Sequence, residues 1–203
     1  GKLIVPGLTD LHIHAPQYEF RGTAMDLELI EWLDRQTFPA EGKYGDTEYA
    51  ERAYAVFADQ MKKSATTRAC IFATRHSEST KILMDHMEAT GIVSFVGKIN
   101  MDRNAPEELS AADTVAWLES VRGKYERTFP ILTPRFIPSC TDELMRSLAE
   151  IRREYALPVQ SHLSENQDEV AWVKELCPEA QFYGDAYQRF GLFGGEAKTV
   201  MAH

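Results

Sequence analysis

Cysteine is scarce in this sequence. Only Cys70, Cys140 and Cys177 occur, odd in number, widely spaced and without a Cys-x-x-Cys pair, so neither a disulfide framework nor a thiolate zinc site is expected. There is no apolar run near the roughly 20 residues that a bilayer span requires, and no charged-then-apolar leader. Positive charge is short as well. Lys and Arg number 22 against 31 Asp and Glu, for a net charge of -9 and a pI near 5.2. Phosphate binding needs a basic surplus, so a nucleic-acid partner is not expected. These absences predict a cytoplasmic protein, off the membrane, whose ligand is a small or neutral molecule.

What is present suits a single globular domain: 203 residues, 44% hydrophobic and 26% charged. Short apolar stretches alternate with longer amphipathic ones, the pattern of βα units around a parallel sheet. The strand candidates are Leu8 to His14, Arg68 to Thr74, Ile92 to Ile99, Ile131 to Pro138, Pro158 to His162 and Thr199 to His203. The helix candidates are Tyr49 to Ser64, Thr80 to Thr90, Ala111 to Tyr125, Leu144 to Tyr155 and Gln167 to Leu176. They follow Asp46-Thr47-Glu48, Ser77-Glu78-Ser79, Ser110, Thr141-Asp142-Glu143 and Ser164-Glu165-Asn166, residues that cap free amides and oppose the helix dipole.

Five βα repeats and a sixth strand predict an α/β fold, a (β/α)8 barrel with about six of its eight units, over residues 1–203. The chain starts at Gly1 and stops within the apolar Thr199-Val200-Met201-Ala202-His203, which reads as a piece of a longer polypeptide. Residues 18–45 form a long βα insertion with an apolar stripe of Leu27, Leu29, Ile30, Trp32 and Leu33, expected over the barrel mouth. A second insertion, Glu179 to Ala197, carries Tyr183, Tyr187, Phe190 and Phe193 and is expected in a similar place.

The chemistry concentrates in histidine. His12-x-His14 ends the first strand, His162 ends the fifth with Glu165 three residues later, and His203 ends the sixth. Residues i and i+2 of a strand share a face, so two imidazoles so spaced can reach one ion. Taken alone, that spacing is as well explained by polar strand ends. Four of the six histidines at carboxyl ends of parallel strands are not, because that rim is where barrel enzymes assemble their sites.

Pro6-Gly7-Leu8-Thr9-Asp10-Leu11-His12-Ile13-His14 resembles the opening of the amidohydrolase superfamily. Within it, His14-Ala15-Pro16-Gln17-Tyr18, Pro134-Arg135-Phe136 and Ser161-His162-Leu163-Ser164-Glu165-Asn166 are similar to the guanine deaminase branch, with support from Glu31-Trp32-Leu33 and Thr37-Phe38-Pro39-Ala40-Glu41. The resemblance implies hydrolytic deamination of guanine to xanthine and ammonia. It implies one divalent ion, zinc or else iron or manganese, on His12, His14, His162 and His203. Glu165 would shuttle the proton, and Gln17, Arg135, Phe136 and His162 would hold the base. A zinc so held lowers the pKa of water to about 7, which supplies a nucleophile at neutral pH. The branch's metal-side aspartate falls on an eighth strand, outside this sequence. A homodimer is implied for the full-length protein.

Other readings stay open. Another aminohydrolase of the superfamily would act on a triazine, a pterin or an adenosine-like compound, and a scaffold would keep the barrel without the chemistry. A cytidine-type deaminase is excluded, because the Pro-Cys-x-x-Cys it needs does not occur. Residue by residue, Arg135 could simply pair with an acid and Gln17 could be a loop residue. Phe136, Trp32 and Phe38 could be packing, and Glu165 a helix-start acid. His76 is expected at a helix entry, His86 on a polar helix side, and Cys140 near the pocket without a required role.

Overall fold

The computed structural model describes residues 1–103 and 111–203. Its strands run in one direction around an arc. β1 (Leu8–His14) pairs with β2 (Thr66–Phe72), which pairs with β3 (Val93–Gly97). Beyond a break at Lys98 that third stave continues as β4 (Ile99–Asn100). The fourth stave is β5 (Thr128–Pro130), beside β3, followed by β6 (Thr133–Pro134), beside β4. A parallel bridge from Leu132 to Val159 leads to β7 (Val159–His162), which pairs with β8 (Thr199–Ala202). The result is the α/β barrel architecture read from the sequence.

Two expected strands are broken in the structure. Ile131 to Pro138 is not one strand: pairing begins earlier, in β5, lapses, resumes only at β6 and gives way to a 3-10 turn, Ile137–Ser139. Pro130, Pro134 and Pro138 have no N–H to give a ladder, so pairing stops and restarts around them. Ile92 to Ile99 divides at Lys98. The second strand begins at Thr66 and ends at Phe72 rather than running from Arg68 to Thr74.

Residues 15–45 hold a 3-10 turn Ala15–Phe20, an irregular stretch over 21–28, and then successive helical turns: α1 (Leu29–Trp32), a π-turn Leu33–Thr37, α2 (Phe38–Gly42) and a 3-10 turn Lys43–Gly45. α3 (Thr47–Lys63) starts where Asp46 accepts the amides of Glu48 and Tyr49 at 2.9 and 3.3 Å. α4 (Ser77–Thr90) begins after His76 and closes on Gly91 at φ 78, a left-handed position open to glycine. α5 (Ala111–Val121) stops short of the expected Tyr125, and its expected cap, Ser110, lies outside the described residues. α6 (Asp142–Tyr155) is capped by Thr141, and α7 (Gln167–Leu176) by a reciprocal box between Asn166 and Glu169. α8 (Tyr183–Phe190) lies in the second insertion. Among the described residues, no helix is long and apolar enough to cross a membrane.

The interior of the arc is tied across staves. Gln160 is fully buried, and its amide donates to the Ile71 carbonyl and to Thr133 Oγ1, both at 3.0 Å. Gly97 sits opposite, where a β-carbon would collide with Thr133 Oγ1 and the Gln160 amide. On β7 the side chains alternate as a strand requires. Gln160 and His162 point inward, while Ser161 turns out to meet the Tyr187 hydroxyl of α8 at 2.8 Å.

Candidate metal centre and base pocket

At the carboxyl rim the two ends of the arc meet. His12 stands two residues before the end of β1, His203 follows β8, and their rings are 5.3 Å apart between centroids. Ring nitrogens of His12, His162 and His203 all lie within 4.8 Å of one another. His14 joins them through His162, the two Nε2 atoms standing 2.9 Å apart. The structure thus gathers all four histidines singled out in the sequence, with His14 on the far side of His162 from His203.

The way β1 presents its pair is not simple alternation. Its register against β2 slips between Asp10 and Ile13, three steps on β1 against two from Ala69 to Ile71. This bulge at Leu11 and His12 rotates the first imidazole, so the rings of His12 and His14 stand at 84° and 5.0 Å rather than side by side. Phe72, at the end of β2, forms the floor: its ring stacks on His14 at 4.5 Å and meets the edge of His12 at 4.9 Å.

The donor set fits a cation. His162 Nδ1 is 2.7 Å from the Arg135 carbonyl oxygen, an acceptor only, so that nitrogen carries the proton and Nε2 keeps its lone pair. Burial lowers His162 to a pKa of about 3 and, with the charge of His203, lowers His12 to about 4. Burial and the neighbouring His162 and Arg135 hold His14 well below its ordinary value. All three are neutral at pH 7, the form that ligates. Two Nε2 atoms 2.9 Å apart also need a proton or a cation between them, since bare lone pairs repel. His12, His162 and His203 can hold a divalent ion, and the His14 nitrogen stands against His162 Nε2, beside that triad.

Glu165 stands beside this nest, Oε2 at 3.6 Å from His203 Nε2. Burial raises its pKa. The His203 and Arg135 charges pull the other way, and the Glu169 carboxylate adds to the rise. The backbone that aims it is unusual: Ser164 adopts φ 62, a left-handed turn between β7 and α7.

A cavity of about 390 Å³ opens over the histidines, and Gln17, Arg135, Phe136 and Glu165 line it. Leu29, Trp32 and Leu33 of the first insertion line it too. The second insertion does not, contrary to expectation. α8 instead packs behind the rim, where the buried Tyr187 donates its hydroxyl to the His162 carbonyl at 2.7 Å.

Arg135 pairs with an acid, but a buried one. Its Nη1 and Nη2 donate to Glu41 at 2.6 and 3.2 Å, with both side chains almost wholly enclosed. Gln17 donates its amide to the same carboxylate at 3.4 Å. Sequence reasoning missed Glu41 as a site residue, together with Phe72 and Glu169. Glu41 and Phe72 lie far along the chain from the groups they touch and carry no spacing signal, and Glu41 was visible only inside a resembling segment; Glu169 stands three residues after Asn166, a capping-box spacing that marks a helix start and says nothing of a site. His86 Nε2 lies 2.9 Å from the exposed Glu51, away from the site, and His76 precedes α4, both as expected. Cys140 is buried with Sγ 3.3 Å from the Asn100 carbonyl, and burial pushes its thiol up to about 12, which leaves it unreactive.

Set against known proteins, the chain has consistent neighbours. The amidohydrolase family model matches residues 3–203. The guanine deaminase of Dictyostelium discoideum is 41% identical over 210 residues, covering 100% of this chain and 46% of that protein. That of Homo sapiens is 42% identical with the same coverage. A crystal structure of guanine deaminase from C. acetobutylicum with bound guanine in the active site superposes with a TM-score of 0.93 at 45% identity, covering 98% of this chain and 49% of that one. The chain spans about half the length of the relatives it matches.

Proposed function

The chain belongs to the amidohydrolase family, and on that premise we propose that it carries the metal-holding and base-reading part of an enzyme that hydrolyses guanine to xanthine and ammonia. One observation carries the reading: three strand-end histidines bring ring nitrogens within 4.8 Å of one another in the floor of a cavity that also holds Glu165, Arg135 and Gln17. The relatives are guanine deaminases by name, and one of them holds guanine.

In this reading His12, His14, His162 and His203 hold one divalent ion, zinc, which when bound supplies a nucleophile from water at neutral pH. The remaining work belongs to side chains. Glu165, raised by burial, takes up a proton on that side of the cavity and returns it to the ring nitrogen as charge develops there, a task worth about 10² to 10⁴ in rate. Arg135 donates to the oxo group of the base, Gln17 meets its N–H edge, Phe136 packs on its ring, and His162 borders it. Residues 18–45 cover the mouth with Leu29, Trp32 and Leu33, which exclude bulk water and strengthen each polar contact. We place the full-length protein in the cytoplasm as a homodimer.

The test is ammonia release by the full-length polypeptide across guanine, adenosine, a pterin and a triazine, alongside metal analysis. Guanine turnover with about one divalent ion per chain is the expected result. Preference for another heterocycle would replace guanine as the substrate, and a metal-free, inactive protein would leave only a scaffold.

A further inference from the structure

Glu41 touches two of the polar groups that face the base cavity, Arg135 and Gln17, yet it does not line that cavity. Its carboxylate lines a neighbouring space of about 320 Å³ on the other side of the wall. The residue sits in α2, on the first insertion, and reaches across to Arg135, 94 positions later. Oε1 receives Arg135 Nη2 at 3.2 Å and Gln17 Nε2 at 3.4 Å, so two donors from different segments converge on one oxygen. Oε2 takes Arg135 Nη1 at 2.6 Å, and the Phe38 ring lies against the guanidinium at 5.0 Å.

Such convergence fixes which way each group points. A primary amide is ambiguous until a partner chooses its orientation. Facing a carboxylate, which only accepts, Gln17 must present its NH2 to Glu41 and keep its carbonyl oxygen for the cavity. Arg135 has five N–H groups and spends two on Glu41 in a bidentate fork. Its plane is thereby locked while donors remain for a ligand. The cavity therefore offers a fixed donor from Arg135 and a fixed acceptor from Gln17.

We propose that Glu41 is a positioning residue that sets this polarity, so that the pocket selects a heterocycle with an oxo group beside a ring N–H over one with an amino group beside a bare ring nitrogen. The amino counterpart would set donor against donor at Arg135 and acceptor against acceptor at Gln17, leaving buried groups unpaired, a far larger loss than a missing apolar contact. The inference rests on reading this cavity as the base site. It adds to that reading the residue that makes the site choose between oxo and amino bases.

The experiment measures equilibrium binding of guanine and diaminopurine, which differ in that one edge, to the full-length protein and to Glu41→Gln. Binding is read separately from turnover. The unaltered protein is expected to prefer guanine by at least about 10-fold. Glu41→Gln, which frees the Gln17 amide to turn and unlocks Arg135, is expected to lose most of that preference, and Glu41→Asp to keep part of it. If Glu41→Gln does not fold, Gln17→Met carries the test: it keeps shape, deletes the acceptor and should lose the preference alike. In the double variant the two losses should not add, because both act on one pair.

A Glu41→Gln protein that binds both bases more weakly but keeps their ratio overturns the proposal, as does additive loss in the double variant. So does an unaltered protein with no oxo preference. An oxo preference that depends on Glu41 in a protein that does not deaminate guanine would uphold it while removing the proposed reaction. Guanine turnover with a preference indifferent to Glu41 would do the reverse.

Discussion

The Glu169 carboxylate accepts the backbone N–H of Glu165 at 2.8 Å and that of Asn166 at 3.3 Å. It is fully buried and also receives the Tyr183 hydroxyl at 2.5 Å. Tyr183 stacks on Tyr187 with rings 7° from parallel, and Tyr187 donates to the His162 carbonyl at 2.7 Å. One chain of contacts behind the rim therefore braces the backbone of both Glu165 and His162. Here α8 serves the site without lining it.

Glu169→Ala would strand three donors, the buried Tyr183 hydroxyl and two half-buried backbone amides. At about 1 kcal/mol or more for each, unfolding free energy should fall by about 3 kcal/mol, visible in a denaturant titration. Glu169→Gln is the milder change. It keeps an acceptor but removes a charge that raises the Glu165 pKa, so the limb of the pH–rate profile governed by Glu165 should move to lower pH. An unmoved limb would show that Glu169 acts on the backbone alone.

Glu165→Gln in the full-length protein should lower guanine turnover by about 10² to 10⁴ and leave metal content and base affinity near their starting values. Metal analysis beside single-turnover kinetics makes the distinction. Loss of metal in step with activity would turn Glu165 from a proton carrier into part of the ion's support.

Acid should weaken the metal-free protein before its carboxylates titrate. His12, near 4, and His162, near 3, sit below the value near 6.5 that histidine has in an unfolded chain. Below pH about 6.5 the unfolded state therefore binds protons that the folded state refuses, and stability falls as pH drops towards 4. Thermal melts of chelated protein at pH 7.5, 6 and 5 should show this decline. A His12→Asn, His162→Asn double variant should show a flatter one.

Much of this was legible in the sequence, for reasons that differ by residue. β1 runs from Leu8 to His14 as read, because its alternation is set locally and Pro6-Gly7 marks its start. The histidines were found because strand ends in a barrel converge, a global rule that needs no coordinates. The fourth stave was misread because apolar patterning outvoted three prolines. The slip at Leu11 and His12 was invisible, since a bulge depends on what the partner strand does. Glu41 and Glu169 look like ordinary helix acids. Only the fold reveals that one holds Arg135 and the other the turn into α7.

That turn yields the sharpest local test. Ser164 stands at φ 62, where a non-glycine residue costs roughly 1 kcal/mol and a β-branched one more, because its side chain crowds the following carbonyl. Ser164→Gly should be nearly neutral for stability, since relief of that cost is offset by the greater freedom glycine has when unfolded. Ser164→Val cannot hold the conformation without strain of about 1 to 3 kcal/mol. The turn would relax, and Glu165, the next residue, would swing from its place 3.6 Å from His203. Turnover in the full-length protein should then fall by at least about 10-fold, since small misplacements of a catalytic group are costly, while metal content holds. If Ser164→Val kept full activity, the left-handed turn would not be what aims Glu165, and the brace from Glu169 would have to suffice alone.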